Sequence, residues 1–565
     1  MPIRIILVLL FAGFHATSQT VKYVNPLSIP LRLSGNFCEV RTDHFHSGID
    51  IKTAGQVGLP VFAVDDGYVS RVKFSAAGYG KAIYVTHPDY CVTVYGHLHA
   101  LIGALADSIE SLQYQKESFE LEWFPEKNYF PVKKGQQIAW SGNSGGSESP
   151  HLHFEIRDEV TEEPLNPLLN GWSIQDTVAP ELVKVAIYKY SNGRFLFYND
   201  FSFIDEANES TSLDTIYINS DTAALSFVVT DNMNDSLTSE LGIYSMLLMN
   251  GVDTLYHYSF DRMNFSETRN VNGYIDYSQK EIQKAIFFRC FPLPGNKFET
   301  FRNAGKGLIL IHPGEIAELK VIVTDANKNL TGKNIYVKNI STILSVGEGM
   351  TDSYYYPNGK ILREWPDAAV TIPEEAFFET EPIISFDRKY DHKNKLPLLQ
   401  IGSKEIALKK AFILSFKPAE KYKAQKTKLV VVELSDKGKF IRSIGGIYKN
   451  GILKATSLKF GKFSFAVDTV APIIQDVKIE TDTIFQQQWL RLIVKDALSG
   501  IKRYTVKVNG NWKLFEYDPK SNSLTYQLRK EDDRLDLYVE LEDNCGNTRV
   551  FRKLVENKLE DFIKK

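Results

Sequence analysis

His151-Leu152-His153-Phe154-Glu155-Ile156 is the most telling stretch of the 565-residue chain. It reads as a strand, and residues two apart on a strand point to the same face. His151 and His153 therefore present two imidazoles together. Two more His-x-His pairs lie upstream, His44/His46 and His97/His99, and Asp50 follows four residues after His46. Seven of the eleven histidines fall between His44 and His153, so this segment differs in kind from the rest. Imidazole and carboxylate are zinc ligands, and a catalytic zinc takes three protein ligands plus water.

Working outward, the neighbouring sequence reads as short strands. Pro60 to Val64 and Tyr68 to Phe74 flank Asp65-Asp66-Gly67, a hairpin signal. Ala82 to Thr86 and Cys91 to Tyr95 flank the turn His87-Pro88-Asp89-Tyr90. Val132 to Gly135 and Ile138 to Trp140 continue the pattern, and residues 98–132 read as a helix or a long surface loop. Aromatic residues reach 12%, with 28 Tyr and 35 Phe, which favours strands over helices.

The segments His46-Ser47-Gly48-Ile49-Asp50, Tyr95-Gly96-His97-Leu98 and His151-Leu152-His153-Phe154-Glu155 resemble the motifs of lysostaphin/LytM-type zinc metallopeptidases. Gly58-Leu59-Pro60-Val61, Asp66-Gly67, Gly78-Tyr79-Gly80, Lys134-Gly135-Gln136 and Ser141-Gly142-Asn143-Ser144-Gly145 match the family's framework in order and spacing. Ser149-Pro150 departs from the more usual Gly-Pro, in a loop rather than at a ligand. The likeness covers residues 35–168. It implies one zinc ion held by His46, Asp50 and His153, with His151 and His97 as catalytic residues. A bound zinc lowers the pKa of its water towards about 7 and polarises the scissile carbonyl. His151 and His97 would share the general-base and oxyanion roles, in a division the sequence leaves open.

Members of this family hydrolyse peptide cross-links of bacterial peptidoglycan, so the implied partners are its stem peptides. The opening Ser34-Gly35-Asn36-Phe37-Cys38-Glu39 and the C-terminal β-domains resemble exported Bacteroidetes proteins, which favours a DD-endopeptidase of the periplasm or cell envelope. Some relatives lose zinc ligands and act instead as non-catalytic activators of another wall hydrolase. Here the ligand residues are all present, which argues for the enzyme.

The fold class expected is mainly β, a LytM-type antiparallel sheet followed by immunoglobulin-like sandwiches. Residues 1–18 read as a signal peptide: Arg4, the apolar run Ile5 to Phe14, and small residues ending at Ser18. That run is too short to span a bilayer, and no later segment is apolar enough. Residues 19–172 form the metallopeptidase domain. Asp176-Thr177-Val178-Ala179-Pro180 recurs as Asp468-Thr469-Val470-Ala471-Pro472, each opening a run of short strands. Immunoglobulin-like domains are expected over 173–340 and 468–558, with a β-rich domain of unknown type over 341–467. These could dock cell-envelope proteins or act as spacers.

A net charge of −3 leaves no basic field for nucleic acid. Four cysteines are too few for a disulfide framework, although Cys38 and Cys91 lie in one domain and their pairing is open. On regular strands His44 and His99 also face the site, as partners orienting the ligands. His87 reads as a surface residue, His257, His312 and His392 as isolated. Gly142 to Gly146 lacks the Gly-Lys-Ser/Thr of a phosphate loop and reads as a turn that brings His151 in.

Overall fold

The computed structural model describes residues 22–557 except 173, 192–193, 204–214, 234–240, 299, 301–304, 342–353, 356–358, 380, 383, 392–395 and 483. The leader and His392 lie outside the described residues.

The histidine-rich segment folds as one large antiparallel sheet beside a small one. Its strands are β1 (Leu33–Gly35), β2 (Ile49–Lys52), β3 (Pro60–Phe62), β4 (Gly67–Phe74), β5 (Lys81–Thr86), β6 (Cys91–Gly96) and β7 (Leu98–Leu101). Helix α1 (Gly103–Lys116) follows, then β8 (Leu121–Trp123), β9 (Pro131–Val132), β10 (Gln137–Ser141), β11 (His151–Asp158) and β12 (Pro164–Leu165). The large sheet runs β1-β2-β11-β6-β5-β4-β8, with β12 on β11 and β9 on β4. The small sheet is β3-β10-β7. All six residues of β5 are buried, as a central strand requires. Ile49, Ile51, Val61, Tyr95, Ala139, Leu152 and Phe154 are fully buried in the core between the sheets.

Residues 60–74 do not form the expected hairpin. β3 pairs with β10, and β4 with β5, β8 and β9. The Asp66 carboxylate accepts from Lys134 N and Lys133 Nζ, which holds the connection across to the other sheet instead of folding it back. The turn at 87–90 does join β5 and β6. The irregular stretch contains α1, whose buried Leu105, Ile109 and Gln113 recur every four residues along one stripe.

Beyond this, β-structure continues in pairs of sheets. Strands from Glu181–Ser191 to Leu330–Asn339 enclose a core that includes Val185, Phe227, Met246 and Val321. Strands from Ile361–Glu364 to Gly461–Val467 enclose a core with Phe412 and Phe463. Strands from Ile473–Asp482 to Thr548–Glu556 enclose a third, with Leu492 and Val539. The chain is thus mainly β throughout. Among the described residues no helix is long and apolar enough to cross a membrane.

Two of these units touch the first. Phe45 inserts into the core of the second unit and stacks on Phe298 at a centroid distance of 5.0 Å. The last unit lies against β7, β10 and α1: Phe485 stacks on His99 at 4.7 Å, and Trp512 meets Tyr114 edge-on at 5.3 Å. All four cysteines are free, including Cys38 and Cys91.

Candidate metal centre

Strand register builds the site. In β11, His153 lies directly opposite Asp50 of β2 on one side and Gly96 of β6 on the other. His46 comes from the segment just before β2. Its Nδ1 faces the Asn36 carbonyl at 2.8 Å, so Nδ1 carries the proton and Nε2 is left as a ligand atom. Asn36 is itself held by Gly242 of the second unit, donating to its carbonyl and accepting from its amide.

His153 uses the opposite nitrogen. Its Nε2 donates to Glu155 Oε1 at 2.8 Å, which turns Nδ1 towards Asp50. Glu155 is fully buried, accepts from Tyr79 OH at 2.6 Å, and pairs through its other oxygen with Arg157. Asp50 Oδ2 takes a hydrogen bond from Arg41 at 2.7 Å, leaving Oδ1 to face the imidazoles.

Three atoms converge as a result. His46 Nε2 to Asp50 Oδ1 is 3.1 Å, Asp50 Oδ1 to His153 Nδ1 is 2.9 Å, and His46 Nε2 to His153 Nδ1 is 3.1 Å. Donors about 2.0 Å from a tetrahedral zinc lie about 3.3 Å apart, so the triangle fits after opening by a few tenths of an ångström. One carboxylate and two imidazoles are also the donor chemistry zinc prefers. In this arrangement burial opposes charge on Asp50, but His46, His151 and His153 around it hold its carboxyl well below the usual range. Burial likewise opposes protonation of His153, and the bonds to Asp50 and Glu155 outweigh it, lifting it to about 9. Two anionic oxygens around one imidazole are a place for positive charge.

His97 and His151 flank the triangle, with ring centroids 4.7 Å apart. The Nδ1 of His97 donates to Ser144 O at 2.8 Å, and that of His151 to Ser149 O at 2.8 Å. Each Nε2 is thereby left for chemistry, and that of His151 lies 3.3 Å from Asp50 Oδ1. Burial, with His153 and His151 close by, pushes His97 down to about 3, so it is neutral in ordinary conditions. Its φ of 57° is left-handed, a backbone strain that clusters at functional sites.

That same φ overturns the expectation for His99. Strand alternation breaks at His97, and His99 stacks on Phe485 instead of facing the site. His44 is also outside: its segment is not a strand, and its ring meets Asp43 in solvent. His87 is buried rather than a surface residue, bridging Asp66 O and Thr93 Oγ1 at 2.8 Å each. Sequence reasoning gave no role to Glu155, Arg41, Tyr79 or Asn36. Glu155 had a signal, since it follows His151 and His153 at the same spacing of two. A second trio, Asp468, Asp496 and Asp543, gathers at the repeat, where backbone amides of Ser499, Leu498, Gly500, Cys545 and Asn547 occupy its carboxylates.

Residues 44–111 match peptidase family M23. The chain carries an M23 peptidase domain. A Haemophilus influenzae protein named as an uncharacterized metalloprotease is 32% identical to it over 123 residues, 22% of this chain and 20% of the relative. DD-carboxypeptidase/endopeptidase Mpg of Neisseria meningitidis serogroup B is 30% identical over 129 residues, 23% of each chain. Murein hydrolase activator NlpD of Escherichia coli is 32% identical over 123 residues, 22% of this chain and 25% of that one. The chain thus spans only about a fifth to a quarter of these relatives, through its M23 domain. Residues 356–468 match the Zu5-like domain, in a region whose sequence offered no nameable motif.

Proposed function

We propose that the chain is an exported zinc endopeptidase that hydrolyses the peptide cross-links of bacterial peptidoglycan. The convergence of His46 Nε2, Asp50 Oδ1 and His153 Nδ1 within 3.1 Å, flanked by two further imidazoles, carries this reading. The names of the Neisseria and Haemophilus relatives support it. The leader over residues 1–18 supports export.

Zinc held by these three residues would supply Lewis acidity to the scissile carbonyl and to water. The protein does the rest. His151 Nε2 takes a proton from the attacking water, and Asp50, 3.3 Å away, favours the imidazolium that forms. The Nε2–H so made then returns the proton to the leaving amine. His97 is kept neutral with its Nδ1–H tied to Ser144 O, so its Nε2 accepts a hydrogen bond from the water's second O–H and orients it. Of the possible bonds, we favour the D-alanyl to diamino-acid cross-link, in line with the DD specificity in the Neisseria relative's name.

The NlpD likeness supports a second reading, a non-catalytic activator. The complete ligand set favours the enzyme. The test is to incubate the chain from Gln19 with purified peptidoglycan, directly cross-linked and glycine-bridged, with and without a zinc chelator. Chelator-sensitive loss of cross-linked dimers, read by mass spectrometry, is expected. Bound zinc without products from either wall would leave the activator.

A further inference from the structure

The two non-ligand histidines hang from one loop. Residues 142–149 supply Ser144 O to His97 Nδ1 and Ser149 O to His151 Nδ1. Ser147 Oγ also approaches His151 Nδ1, at 3.1 Å. Two other carbonyls of this loop are held from far along the chain. Lys520 Nζ donates to Asn143 O at 2.6 Å and to Ser147 O at 2.8 Å.

Lys520 is exposed, but the turn that carries it is well defined. It sits in the turn between the strands Glu516–Asp518 and Ser523–Gln527 of the last unit. Asp518 accepts from Lys520 N at 3.0 Å and from Ser521 Oγ at 2.7 Å, which fixes the turn. Around it, Glu516 pairs with Lys81 at 2.6 Å, and Phe485 fills the corner between His99 and Trp140. A donor with a full charge forms the stronger class of hydrogen bond, and one ammonium here ties two points of one loop.

We propose that Lys520 is a positioning residue for the M23 site, and that the C-terminal β-unit is a brace for its catalytic loop rather than a spacer. With both carbonyls pinned, Ser144 O and Ser149 O stay where they aim the Nε2 atoms of His97 and His151. Any effect on rate rests on the hydrolase reading. The effect on the loop does not.

The test uses the full chain from Gln19 with Lys520→Met, Lys520→Arg and, as a control on the same interface, Arg529→Ala, which removes the pairing with Glu110 of α1. Lys520→Gln serves if the Met variant does not fold. Amide hydrogen exchange over 142–149, zinc content, and kcat and KM on cross-linked muropeptide are measured. In Lys520→Met, exchange over the loop should rise about tenfold, and kcat should fall about tenfold with KM and zinc content unchanged. Lys520→Arg should recover most of both, and Arg529→Ala should change neither. Unaltered loop exchange in Lys520→Met, or an equal change in Arg529→Ala, would overturn the proposal. A wild-type chain without hydrolysis would defeat the hydrolase reading alone, and loop exchange would still decide the role of Lys520.

Discussion

Glu155 Oε1 accepts the Nε2–H of His153 at 2.8 Å, on the side of the ring away from Asp50. This contact fixes which nitrogen of His153 can bind metal. A carboxylate behind a ligating imidazole also raises its basicity, and losing such a partner typically lowers metal affinity by about 10–100-fold. Glu155→Gln should weaken zinc binding by that amount while His46, Asp50 and His153 all remain. Competition against a chromophoric chelator measures it, and unchanged affinity would sink the assigned role.

The ligand and the base should separate cleanly by mutation. His153→Ala removes one corner of the donor triangle, so both zinc content and hydrolysis should vanish. His151→Ala leaves the triangle whole. Zinc should stay, and the rate should drop by about 10²–10⁴, the usual worth of a general base. Full activity in His151→Ala would show that the base lies elsewhere.

How much of this site could be read from sequence follows from which forces are local. The period of two in His151-Leu152-His153-Phe154-Glu155 marked the strand and its paired imidazoles, while the choice of His46, Asp50 and His153 as ligands came from the likeness to lysostaphin/LytM-type motifs. The reading failed where the backbone leaves that period. The positive φ at His97 turns His99 away, and the segment holding His44 never becomes a strand. It failed again where partners are distant. Asn36 needs Gly242, and the loop at 142–149 needs Lys520, more than 370 residues on. No short-range pattern encodes such contacts. His87 misled because a turn residue beside proline reads as exposed, whereas its ring is buried, donating from Nδ1 to Asp66 O and accepting at Nε2 from Thr93 Oγ1.

Gly142 should tolerate no side chain. A Cβ there would lie 2.4 Å from His99 N and 2.8 Å from His97 O, both backbone atoms that cannot swing aside. Gly142→Ala must push the end of β10 off β7, and overpacking of this kind costs about 1–3 kcal/mol. Since His97 moves with β7, the rate should fall while zinc content holds. Thermal unfolding together with metal analysis checks both, and an unchanged melting temperature would contradict the close approach.

Asp231 sets a pH dependence remote from the metal centre. It is buried, and burial, with repulsion from Asp325 and Asp176, lifts its carboxyl to about 8. An unfolded Asp titrates near 3.9, so between about pH 4 and 8 the folded chain keeps a proton that the unfolded chain releases. Stability from this group is therefore fully present below about pH 4 and is lost as pH rises to about 8. The slope is at most about 1.4 kcal/mol per pH unit. Asp231→Asn keeps the shape without the charge. Relative to wild type it should gain roughly 2.5 kcal/mol between pH 6 and pH 8.5, read as the difference in urea midpoints for the unit that contains it. Taking the difference between the two proteins cancels groups that titrate in both. A difference independent of pH would mean that Asp231 is already ionised in the folded chain at pH 6.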